Sequence, residues 1–157
     1  MKELKVGIAG LGRLGRVHAR NLAYQIPGVK LTSACSIVEE ELTFAKKELG
    51  VSEVYTDFDQ MIASDLDAVA IVTTSGMHAK QIASALARGK HVFCEKPLGV
   101  TLEECREAEK AVEAHPELVF FLGFMRRYDP SYAYAKKKIA EGAIGKPYLV
   151  KATGIDP

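Results

Sequence analysis

LKVGIAGLGRLGR, residues 4–16, decides the fold. An apolar β-type run ends at Ala9, Gly10-Leu11-Gly12-Arg13-Leu14-Gly15 follows as a G-x-G-x-x-G, and a helix is expected over 13–26. Each glycine has a physical task in that setting: Gly10 permits the tight turn, Gly12 lets backbone approach a pyrophosphate without a Cβ clash, and Gly15 lets helix and strand pack closely. Free amides at the helix N-terminus, with the helix dipole behind them, favour phosphate charge. The other reading is a glycine-rich turn that binds nothing; the strand before it and the helix after it weigh against that.

Outward from this stretch, short β-type runs alternate with longer helical patterns, the signature of βαβ units and a parallel sheet. The runs are 4–9, 29–35, 53–55, 67–72, 90–94 and 118–123, and the helices between them are expected at 13–26, 39–49, 57–63, 76–88 and 101–114. Gly50, Gly89 and His115-Pro116 supply the stops, and Thr101 with Glu104 fits a capping box at the start of the fifth helix. The fold class is therefore α/β, a Rossmann doubly wound parallel sheet of order 3-2-1-4-5-6 with helices on both faces. After the sixth strand, Tyr128-Asp129-Pro130 leads into a helix expected at 131–141, and KPYLVKAT at 146–153 reads as a further strand. The expected division is 1–125 for the dinucleotide-binding domain and 126–157 for a connecting helix and the first strand of a truncated second domain.

Composition narrows the function classes. The chain has 157 residues, 48% hydrophobic and 26% charged, enough for one proper core. Its 21 Lys plus Arg against 20 Asp plus Glu leave a formal charge of +1, so no global field favours nucleic acid or an anionic membrane. The longest stretch free of charged residues, 68–79, is far short of a bilayer span, and Glu3, Lys5 and Arg13 break any signal-peptide core. Cys35, Cys94 and Cys105 form no CxxC pair and suit reduced thiols, so a cytoplasmic location is expected. His18, His91 and His115 show no ligand spacing with Cys or with one another, and no metal is expected.

Three places at the expected carboxyl edge of the sheet carry chemistry. NAD-binding units usually end their second strand in Asp or Glu for the adenosine ribose hydroxyls; here the chain reads Ala34-Cys35-Ser36-Ile37, with no carboxylate until Glu39 and no Arg or Lys beside Ser36 for a 2′-phosphate. Ser36 either bonds the ribose or simply ends the strand. The loop after strand four, Thr73-Thr74-Ser75-Gly76-Met77-His78, should face the cofactor, although His78 alone is equally a packing residue. Strand five ends in Glu95-Lys96-Pro97, where the proline keeps Lys96 out of helical geometry and aims an ammonium at a substrate oxygen; the other reading is a surface lysine paired with Glu95. Met125-Arg126-Arg127 follows strand six and brings two guanidinium groups, one suited to a polyol or phosphate, the other to a structural ion pair.

With the glycine loop at 10–15, TTSGMH at 73–78 and Glu95-Lys96-Pro97 all in place, the chain resembles the glucose-fructose oxidoreductase and inositol dehydrogenase family. GFMRRYDPSY (123–132) and IGKPYLVKATGIDP (144–157) look most like its inositol 2-dehydrogenases, and the resemblance covers the whole chain but only the N-terminal half of the family's protein. It implies a cytoplasmic oxidoreductase that passes a hydride from a cyclic polyol or sugar hydroxyl to NAD, with NADP as the other admissible dinucleotide, and a homo-oligomer assembled through the second domain. Residue by residue it implies that Gly10, Gly12, Arg13 and Leu14 hold the pyrophosphate and that Ser36 lies by the ribose. It further implies that Thr73, Thr74 and His78 border the dinucleotide, that Glu95 and the catalytic Lys96 stand at the nicotinamide end, and that Met125, Arg126 and Asp156 line the substrate pocket. Relatives often carry proline at position 74, and the family's Asp-x-x-x-His acid/base pair would lie beyond Pro157, so the isolated chain is expected to bind NAD but to be inactive. A non-catalytic dinucleotide-sensing module is the alternative of a different class. A methyltransferase reading of the glycine loop is disfavoured by Glu95-Lys96-Pro97.

Overall fold

The computed structural model describes residues 3–154. Strands β1 (Leu4–Ala9), β2 (Val29–Cys35), β3 (Glu53–Tyr55), β4 (Ala68–Ile71), β5 (His91–Glu95) and β6 (Phe120–Gly123) alternate with helices α1 (Arg13–Tyr24), α2 (Glu39–Leu49), α3 (Phe58–Ile62), α4 (His78–Ala87) and α5 (Leu102–Glu113). The sheet has the order β3-β2-β1-β4-β5-β6, with every pairing parallel, as the alternation of runs requires. Register aligns the carboxyl ends: Ala9 lies opposite Cys35 on one side and Ile71 on the other, and Ile71 opposite Cys94. The loops that leave those four strands therefore start along one edge.

Because the sheet is sandwiched, successive residues of a central strand enter different cores. Ile8 and Ala70 pack with Leu11, Ala19, Leu31, Phe44 and Leu49 beneath α1 and α2, whereas Ala9, Val69 and Ile71 pack with Met61, Ile82, Leu86, Val92 and Cys94 beneath α3, α4 and α5. Full burial of side chains such as Ile82 and Leu86 contributes about 1.5–3 kcal/mol each. The α5 cap forms as its sequence requires: the Glu104 amide donates to Thr101 Oγ1, and the Thr101 amide to Glu104 Oε2, both at 3.2 Å.

The chain separates into two compact units, Met1–Gly123 and Phe124–Pro157. In the second, α6 (Pro130–Ala140) is capped by Asp129, whose Oδ1 accepts from the Ser131 amide at 2.9 Å. Residues 146–153, expected as a strand, are not one in this chain. Their β pattern has no neighbouring strand among the described residues, Tyr148, Leu149 and Val150 stand exposed, and a strand gains its stability from its ladder rather than from propensity.

Candidate functional site

At the end of β1 the backbone turns through Gly10 at φ +85°, and a Cβ there would lie 2.5 Å from the Val72 carbonyl oxygen. Gly15 is tighter still, since a Cβ on it would meet the Gly10 carbonyl oxygen at 2.1 Å. Both glycines are thus required by the fold. Gly12 is different: its backbone (φ −63°, ψ −166°) suits any residue, and a Cβ on it would find nothing nearer than a Glu41 carboxylate oxygen at 3.9 Å. The open face over Gly12 adjoins the first turn of α1, which has no side-chain cap and whose leading amides lack intrahelical partners. Arg13 and Leu14, the first two residues of that turn, are exposed.

Beside this loop lies a cavity of about 690 Å³, walled by Gly10, Gly12, Ser36, Val38, Glu41, Asp57, Asp59, Thr73, Thr74, Met77 and Lys80 among others. Ser36 is buried on this wall with its hydroxyl engaged by the protein: Oγ donates to Glu41 Oε2 at 2.5 Å and accepts from the Val38 amide at 3.0 Å. Glu41 Oε2 also accepts from the Leu11 amide at 3.3 Å, which ties the first turn of α2 to the glycine loop. Across the cavity Thr73 donates to Gln81 Oε1 at 2.6 Å, and Thr74 stands exposed with φ −66°, the value proline adopts.

His78 does not stand on this wall. It is buried, with Nδ1 2.7 Å from the Pro97 carbonyl and Nε2 3.0 Å from the Thr73 carbonyl, so the ring joins the loop after β4 to the loop after β5. A neutral imidazole donates to one of these oxygens and a doubly protonated one to both.

At the end of β5, Glu95 is held from two sides. Its Oε1 pairs with His18 Nε2 of α1 at 2.9 Å, and its Oε2 accepts from the Lys96 amide at 3.1 Å. With the carboxylate occupied in this way, the exposed Lys96 ammonium makes no ion pair among the described residues. The Lys96–Pro97 peptide is cis. In the second unit, Arg126 pairs with Asp129 at 3.5 Å and its guanidinium lies 5.2 Å from the Tyr132 ring centre, while Met125 is exposed beside it. Asp156 falls outside the described residues. Sequence reasoning missed Glu41, His18 as the anchor of Glu95, and Lys80. The signal within reach was a run of three carboxylates, Glu39 to Glu41, in the first turn of the helix that follows strand two.

Among the described residues no group of three His, Cys, Asp or Glu side chains could hold a metal ion, and no helix is long and apolar enough to cross a membrane. Burial pushes the Cys35 thiol up to about 11 and the Cys94 thiol up to about 12, with Asp57 and Glu95 adding smaller electrostatic contributions.

A parallel sheet of this order with a glycine turn at the end of β1 is the architecture of a dinucleotide-binding domain. The chain belongs to the oxidoreductase family with an NAD-binding Rossmann fold, matched over residues 4–124, the family that the three motifs resemble. Among its relatives, the scyllo-inositol 2-dehydrogenase (NAD(+)) of Bacillus subtilis is 38% identical over 150 residues, 95% of this chain and 44% of the relative. The myo-inositol 2-dehydrogenase of Thermotoga maritima is 34% identical, over 98% of this chain and 46% of its own length. The crystal structure of scyllo-inositol dehydrogenase from Lactobacillus casei with bound NAD(H) and scyllo-inositol is 53% identical and superposes with a TM-score of 0.89, over 92% of this chain and 43% of that one. The chain thus spans less than half the length of the relatives it matches.

Proposed function

We infer that this chain binds NAD and forms the dinucleotide-binding part of a dehydrogenase acting on a cyclic polyol of the inositol type. The observation that carries the reading is the contrast within the glycine loop: Gly10 and Gly15 are glycines because the fold leaves no room, whereas Gly12 is a glycine with open space in front of it. Neither a positive φ nor a backbone clash requires glycine at 12, so the bare backbone there is free to receive a ligand. A pyrophosphate fits there, since the amides at the start of α1 and the helix dipole meet its charge and no side chain shields them. Relatives named for NAD and inositol support the same reading.

In this reading residues 1–125 hold the dinucleotide and residues 126–157 lead toward a substrate domain. Gly10, Gly12, Arg13 and Leu14 bind the pyrophosphate, and Thr73 and Thr74 border the cofactor. When bound, the nicotinamide ring supplies the hydride acceptor. Lys96 places its ammonium against the substrate hydroxyl and lowers the energy of the alkoxide that develops as the hydroxyl proton passes to a base of the substrate domain; its backbone amide is held by Glu95, which His18 fixes in turn. His78 keeps the loops carrying Thr73 and Lys96 in register. Met125 and Arg126 are assigned to the polyol, and a cytoplasmic setting and assembly into oligomers belong to the same reading.

Calorimetric titration with NAD tests it. The wild-type chain should bind and Gly12→Val should not, while the variant stays folded and loses only the roughly 1 kcal/mol that a valine costs at a helix N-cap, since no clash with the backbone bars a Cβ there. Equal NAD affinity in both would sink the assignment.

A further inference from the structure

The end of strand two poses a problem for an NAD site, since the carboxylate that usually holds the adenosine ribose is replaced by Ser36. The structure supplies a carboxylate from elsewhere. Glu41, in the first turn of α2, is half-buried, while Glu39 and Glu40 beside it are exposed. Its Oε2 is held by the Ser36 hydroxyl at 2.5 Å and the Leu11 amide at 3.3 Å, between the end of strand two and the glycine loop. Oε1 lies 3.9 Å from where a Gly12 Cβ would stand, on the open side of the loop. This oxygen and the position assigned to the pyrophosphate thus share one face of the loop.

We propose that Glu41 replaces the missing strand-two carboxylate, accepting hydrogen bonds from the 2′,3′-diol of the adenosine ribose and thereby selecting NAD over its 2′-phosphorylated form. The assignment rests on the dinucleotide reading above. Ser36 then becomes a positioning residue, because its hydroxyl orients the carboxylate instead of touching the ribose. Charge works in the same direction as hydrogen bonding. The cavity wall carries Glu41, Asp57 and Asp59 against one cation, Lys80, so a 2′-phosphate entering there meets net negative charge. Arg16 offers no rescue: its guanidinium lies 4.6 Å from the Phe44 ring centre and its Nε donates to the Leu11 carbonyl.

The test is titration of the full chain, wild type and Glu41→Gln, with NAD and with NADP. Glutamine keeps an acceptor for the Leu11 amide and the Ser36 hydroxyl but removes the charge. The wild type should prefer NAD, and the variant should narrow the NAD-to-NADP affinity ratio by about tenfold, chiefly through tighter NADP. A folded variant with an unchanged ratio overturns the Glu41 assignment and leaves Glu41 as a clamp between α2 and the glycine loop. Should the variant fail to fold, 2′-deoxy-NAD with the wild type decides: a loss of about tenfold relative to NAD supports the diol contact, and equal affinity overturns it. A wild type that binds neither dinucleotide overturns the dinucleotide reading itself, an outcome distinct from NAD binding with an unchanged ratio.

Discussion

The carboxyl edge of this sheet is built in two opposite ways. After β1 the site is made by leaving atoms out: Gly10 and Gly15 let the chain fold onto itself, and Gly12 leaves backbone amides open. After β5 it is made by holding atoms in place: His18 fixes Glu95, Glu95 fixes the Lys96 amide, and His78 holds the Pro97 carbonyl against the loop after β4. The first end should therefore fail when atoms are added, and the second when they are removed.

The largest effect is expected at Gly15. A methyl group there must displace the Gly10 carbonyl, 2.1 Å away, so Gly15→Ala should lower the unfolding free energy by at least about 4 kcal/mol, read as a collapsed urea midpoint. A stable Gly15→Ala would show that the loop yields more easily than its geometry implies. Next comes Lys96→Ala in an active, full-length form: turnover should drop by about 10²–10³-fold while NAD affinity barely moves, since the ammonium acts on charge that develops in the transition state. Equal losses in both would make Lys96 a cofactor ligand and would erase the contrast between the two ends.

His78→Ala should cost about 2–3 kcal/mol of stability, because a buried carbonyl oxygen loses its donor and a cavity opens. NAD affinity should fall less than it does in Gly12→Val, as His78 is buried behind the loops instead of lining the cavity. The smallest effect at neutral pH belongs to the thiols. Burial raises Cys35 to about 11 and Cys94 to about 12, above the ordinary value near 9, so the folded state favours the protonated thiol. Their contribution to stability is complete below about pH 9 and is lost as pH rises toward 11 and 12, which alkaline unfolding should register. At pH 8, iodoacetamide should modify Cys105, which is partly exposed, well ahead of the buried pair.

Much of this was legible in the linear chain because local rules and long-range packing agree. The runs at 4–9, 29–35 and 53–55 form strands at those positions, and Thr101 with Glu104 starts α5. The run at 146–153 shows the limit of such reading, since β pattern without a pairing neighbour remains irregular chain. Thr74 gives a gentler case: its φ of −66° shows that a proline there would fit the backbone already present.

The sequence by itself determined the order of the strands, the backbone tasks of Gly10 and Gly15, and a lysine held before a proline at the end of β5. These follow from residue type, spacing and chain direction, all of them local. Tertiary structure alone decided which carboxylate faces the cavity and which histidine is buried between two loops. Three consecutive glutamates open α2 with equal claims, and only the rotation of that helix against the sheet turns Glu41 toward Leu11 and Ser36, 30 and 5 residues away in sequence. His78 likewise receives its role from Pro97, 19 residues on, because α4 packs beside β5. Contacts across such distances depend on how elements dock, and docking is a property of the assembled core rather than of any one segment.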